Sequence, residues 1–187
     1  HRVDRRQRQM CIRDRYYVLK IIIMNKLITV AVIDSGIYPH IDFKNRIVAF
    51  KDFVNGRKNA YDDCGHGTHV SGIIAGSGYA SHGRIKGICP AARLAGIKVL
   101  DRLGNGRIEN VLDATDWIIS HQKDLNIRVV NISFGATTFG EKENLIALEK
   151  AIEKLWDNNI IVVAAAGNEG PGRQLSLIHI SEPTRPY

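Results

Sequence analysis

Three hydrophobic runs of the sequence end in a polar residue and a glycine, and a fourth polar–glycine motif opens a helical pattern. The first three are Asp34-Ser35-Gly36, Ser133-Phe134-Gly135 and Gly167-Asn168-Glu169-Gly170, and the fourth is Gly65-His66-Gly67-Thr68-His69. Singly these are bland: an Asp after a strand more often caps a turn, and a lone His at a helix start is usually structural. As a set they fit acyl transfer. A buried Asp accepts an imidazole N–H, fixes the tautomer and stabilises the imidazolium. The His takes a proton from a nucleophilic hydroxyl and returns it to the leaving amine. An Asn amide at a glycine-rich corner donates to a developing oxyanion.

The elements needed to bring these residues together are legible as alternating strands and helices. Leu27–Ile33 is a continuous β-branched run, suited to a strand buried on both faces of a parallel sheet, and Arg93–Leu100, Arg128–Phe134 and Ile160–Ala166 read alike. Between them, Ile108, Val111, Leu112, Thr115, Ile118 and Ile119 share one helical face, and Leu145, Leu148, Ile152 and Leu155 share another. A shorter helix is expected over His69–Gly76, with glycines that permit close packing. This predicts an α/β domain with a mainly parallel sheet, helices on both faces and right-handed crossovers. Ligands of such sheets bind beyond the carboxyl ends of the strands, where Asp34, Ser133 and Asn168 fall.

The segments VAVIDSGI around Asp34, GHGTHVSGIIAG around His66, NISFG around Ser133 and AAAGNEGPG around Asn168 resemble the signatures of the subtilisin-like serine proteases, the subtilases. Order and spacing match over nearly all of residues 27–172. IDFKNRIVAFKDFVNGR and DWIISHQKDLNIRVVN resemble the bacterial branch that includes intracellular, propeptide-poor members. The resemblance implies a subtilisin-like fold and serine endopeptidase activity on peptide or protein substrates. It implies Asp34 as catalytic acid, His66 as general base and Asn168 as oxyanion donor. It also implies that Ser133, Phe134 and Gly135 line the primary specificity pocket, with Gly104 and Gly106 on the opposite edge of the cleft. No cofactor is implied, and Ca²⁺ only as a stabilising ion known of the family.

The family nucleophile, a Ser in a GTSMA-type motif downstream of AAGNEG, does not occur in the 187 residues. The chain is therefore expected to be C-terminally truncated and inactive, with an exposed apolar face. The alternative is a non-catalytic subtilase-like binding module in which Asp34 and His66 are structural. A generic nucleotide-binding domain lacks both GxGxxG after the first strand and GxxxxGK[ST]. Six further residues lie close to His66 in the sequence. Asp62 and Asp63 read as a solvated turn pair, or else as an acidic rim favouring basic substrates. Cys64 lies too close to His66 in sequence to form a catalytic pair. His69, Thr68 and Ser71 are expected to be helix-packing residues.

Net charge is +7, but residues 1–15 alone carry six arginines against two aspartates, so the basicity is mostly terminal and calls for no nucleic acid. The ends look foreign to a gene. RRQRQMCIRDR (Arg5–Arg15) and LSLIHISEPTR (Leu175–Arg185) back-translate to opposite strands of one oligonucleotide: the reverse complement of CTGTCTCTTATACACATCT is AGATGTGTATAAGAGACAG. Residues 1–15 and 175–187 are therefore expected to be translated library adapter flanking a partial catalytic domain, 16–174. Lys20, Asn25 and Lys26 interrupt the most apolar stretch, so no membrane span is expected. Cys64 and Cys89 lack metal-ligand spacing and fit a reducing, cytoplasmic setting slightly better than a secreted one.

Overall fold

The computed structural model describes residues 28–134 and 142–165. Gly135, Asn168 and both suspected adapter segments lie outside the described residues.

Among the described residues five strands form one wholly parallel sheet: β1 (Thr29–Asp34), β2 (Ile47–Asp52), β3 (Arg93–Lys98), β4 (Ile127–Ile132) and β5 (Ile161–Ala164). Their order is β2-β3-β1-β4-β5, so β1 is central and flanked by β3 and β4. All six residues of β1 are buried, as a both-faces-covered strand of Val, Ile, Ala and Thr requires. Three helices connect them: α1 (His66–Ala75), α2 (Ile108–Leu125) and α3 (Lys142–Asp157). On one face α1 covers β1 and β3, closing a cluster of Val30, Val32, Ile37, Phe43, Ala75 and Leu94. On the other, Val111, Ala114 and Ile118 of α2 join Leu148, Ile152 and Leu155 of α3 against Ile33, Ile97 and Ile132. These are the apolar stripes the sequence carries at helical spacing. Among the described residues no helix is long and apolar enough to cross a membrane.

The differences from expectation lie at element ends. Strand β2 was not anticipated; Ile47–Phe50 are only half-buried, and the exposed Lys51 and buried Asp52 break its apolar run. Helix α1 starts at His66 rather than His69. Strand β3 stops at Lys98, because the N–H groups of Val99 and Leu100 both turn to the carbonyl of Asp34. Strand β4 stops at Ile132, which leaves Ser133 and Phe134 in the segment beyond the sheet.

Candidate active site

Asp34 ends β1 with no solvent exposure, and its Oδ1 accepts the N–H of Ser35 at 2.7 Å. His66 is the first residue of α1. Its Nδ1 lies 2.8 Å from Oδ1 and 3.0 Å from Oδ2 of Asp34, while its side chain is 47% exposed. A carboxylate offers acceptors only, so Nδ1 is the donor in this contact, and in the neutral ring Nε2 then carries the lone pair.

This contact requires the helix start to approach the strand end closely. A Cβ on Gly67 would sit 2.2 Å from the carbonyl oxygen of Gly36 and 3.0 Å from Cβ of Asp34. Only glycine fits there. Of the two glycines expected to permit close packing, a Cβ on Gly72 would face open space, whereas Gly76 is buried and a Cβ on Gly87 would sit 2.5 Å from its nitrogen. Gly36, at φ +126°, turns the chain after Asp34 so that Ile37 N–H reaches the carbonyl of Tyr61.

The first N–H groups of a helix need outside acceptors. Gly65 at the N-cap has no side chain to offer, and the distant Ser35 and the nearby Asp62 serve instead. Ser35 Oγ accepts from Gly67 N–H at 3.0 Å and donates to Asp62 Oδ1 at 2.9 Å. Asp62 also accepts from Cys64 and Gly65 N–H through Oδ1, and from the N–H and hydroxyl of Thr68 through Oδ2. Burial pushes the Asp62 carboxyl up, but the Thr68, Gly65 and Ser35 hydrogen bonds outweigh it and hold the group below the ordinary carboxylate range. The same balance holds Asp52 low: burial raises it, whereas the N–H groups of Asn55, Val54 and Arg57 and the Tyr61 hydroxyl lower it further.

Asp62 does form the expected turn, with the N–H groups of Cys64 and Gly65, but each carboxylate also does more. Asp62 organises the helix start, and Asp63 accepts from Lys98 Nζ at 2.6 Å. The hydroxyl of Thr68, expected only to pack, also accepts from Tyr38 N–H at 2.9 Å. Ser71 is buried without a hydrogen-bond partner, as a packing residue, whereas His69 is exposed rather than packed. Cys64 is exposed and Cys89 buried, both with free thiols.

Because the sheet is parallel, the segments after β3 and β4 flank Asp34 on either side. After β3, Leu100 and Gly106 form an antiparallel bridge, with Gly104 at φ +80° in the turn between them. After β4, Phe134 is buried and Ser133 Oγ accepts from Asn131 Nδ2. The structure therefore brings Asp34 and His66 together and sets Gly104, Gly106, Ser133 and Phe134 on the same sheet edge.

A model of the subtilase family matches residues 25–183. The chain belongs to the subtilase family. It is 40% identical over 153 residues to serine protease AprX of Bacillus subtilis, covering 80% of this chain and 35% of that protein. Subtilisin E of the same organism is 37% identical over 153 residues, covering 81% and 37%. Among solved structures, a psychrophilic protease aligns with a TM-score of 0.67 at 33% identity, covering 78% of this chain and 47% of that one. A cold-adapted subtilisin-like serine proteinase aligns at 0.62 and 32% identity, covering 75% and 46%. The chain spans about a third of these two curated relatives and just under half of these structures. Its parallel sheet is that of a subtilisin-like α/β fold.

Calcium binding remains a property of the family. Among the described residues no three His, Cys, Asp or Glu side chains converge. The loop carboxylates are engaged with backbone donors: Asp42 with Ala80, and Asp101 with Leu103 and Asn105.

Sequence reasoning missed Ser35, Gly67 and Lys98. Lys98 did carry a signal, as the one charge inside the otherwise buried run LAGIKVL.

Proposed function

We propose that residues 28–165 carry the acid–base half of a serine endopeptidase site. The observation that supports this is the 2.8 Å contact between His66 Nδ1 and the fully buried Asp34 carboxylate at the carboxyl end of the central strand. Asp34 holds the ring and its tautomer; Nε2, on the exposed side, takes the proton of a serine hydroxyl as that oxygen attacks a peptide carbonyl. The same proton then passes from His66 to the amine as the C–N bond breaks, and Asp34 stabilises the imidazolium between the two steps. Asn168 donates to the oxyanion of the tetrahedral intermediate. Ser133–Gly135 on one side and Gly104 and Gly106 on the other receive an extended peptide by backbone pairing.

The 187 residues contain no GTSMA-type serine. The polypeptide itself is therefore inactive, and a fluorophosphonate serine probe leaves it unlabelled. A chimera in which residues 28–165 replace the matching segment of subtilisin E takes up the probe stoichiometrically, and His66→Ala abolishes rapid labelling. Labelling of the 187-residue chain would overturn its inactivity, and a folded chimera that stays unlabelled would sink the peptidase reading in favour of a binding module. Residues 1–15 and 175–187 are proposed as translated adapter, which the inverted repeat in the source nucleotides tests.

A further inference from the structure

Lys98 is the one buried cation among the described residues, with no solvent exposure at all. Its ammonium has three N–H donors and meets three acceptors: the carbonyl of Ser35 at 2.6 Å, the carbonyl of Leu100 at 2.7 Å and Asp63 Oδ1 at 2.6 Å. The Tyr61 ring lies over the remaining side, its centroid 5.2 Å from Nζ. The three acceptors belong to three separate segments. Ser35 follows Asp34, Asp63 lies three residues before His66, and Leu100 begins the 100–106 loop. In the sheet, Lys98 stands directly beside Asp34.

We propose that Lys98 is a positioning residue, whose ammonium locks the Asp34 strand end, the loop leading into His66 and the 100–106 loop into one register. The inference rests on the peptidase reading of Asp34 and His66. Burying an ammonium costs several kcal/mol, and an apolar pair of similar volume is often as stable or more so. Stability alone therefore does not account for a lysine here. A compact ammonium with rotatable donors suits three convergent acceptors from different directions, which a planar guanidinium does not. Through Asp63 it fixes the loop whose neighbour Asp62 caps α1; through Ser35 it fixes the residue whose hydroxyl binds Gly67 N–H. Both routes end at the first turn of the helix that bears His66.

The test is proton NMR on the ¹⁵N-labelled 187-residue chain, reading the low-field Nδ1 proton of His66 held by Asp34 and assigned with His66→Gln. Lys98→Met is expected to lose this signal while near-UV circular dichroism is retained. Lys98→Met/Asp63→Leu, which makes the pair apolar, is expected to regain the unfolding midpoint without regaining the signal. A merely structural lysine would regain both. Asp63→Asn keeps the two carbonyl bonds and covers the case in which Lys98→Met does not fold; it is expected to broaden the signal. A full-intensity signal in folded Lys98→Met or Asp63→Asn would overturn the proposal. Absence of the signal from the unsubstituted chain would overturn the Asp34–His66 reading itself.

Discussion

At Asp62 two carboxylate oxygens accept from five donors, spread over Ser35, Cys64, Gly65 and Thr68. Asp62→Ala removes the cap of α1 and leaves those donors short of an acceptor. It is expected to cost about 2 kcal/mol, read from the denaturant midpoint. Because Asp62 and Asp52 are held below their ordinary value of 3.8, their contribution is present above that pH. It is lost as the pH falls through the lower native values, where the folded carboxylates take up protons. Thermal unfolding followed from pH 7 to pH 2 should show stability falling below about pH 4. The fall should be shallower in Asp62→Asn and Asp52→Asn. An identical slope in both variants would contradict the assignment. Nothing in the sequence around Asp62 announced this role. The spacing of GHGTH pointed to His66, whereas the donors that matter come partly from Ser35, 27 residues away.

Among the elements, β1 and α1 have to meet at their ends for His66 to reach Asp34. Gly67 marks how close that meeting is, with room for no side chain between helix and strand. Gly67→Ala pushes α1 away from Gly36, and a destabilisation of about 1–3 kcal/mol is expected, as for overpacking elsewhere. The Nδ1 signal of His66 should weaken with it; a neutral substitution that preserves the signal would show the helix start free to shift. The elements themselves were legible where burial imposes a period. The continuous apolar run of β1 and the helical stripes of α2 and α3 follow from the faces they cover. Strand β2 was not legible, since half-buried residues ending in Lys51-Asp52 carry no clear alternation. The range of α1 was set three residues late, at His69, for another reason: acceptors for its first N–H groups come from Ser35 and Asp62, outside the helix.

Across the whole molecule, the parallel sheet puts Asp34, the 100–106 loop and the Ser133–Phe134 segment on one edge, which the order of strands and helices in the sequence already implied. What the sequence did not disclose is the set of long-range bonds made by Lys98 and Ser35 that hold this edge together. Such bonds join residues 27 to 63 positions apart and leave no periodic trace. The family match reaches residue 183, beyond the proposed adapter boundary at Leu175, which the source nucleotides test. On the proposed function, this edge works as the acid–base half of a peptidase. Its most direct test is kcat/KM of the subtilisin E chimera on a chromogenic peptide, with and without His66→Ala. The chimera should hydrolyse the peptide, and the substitution should lower the rate by about 10⁶-fold, a magnitude taken from subtilisin, a member of the same family. A folded chimera whose His66→Ala variant stays within tenfold of its parent would contradict the account.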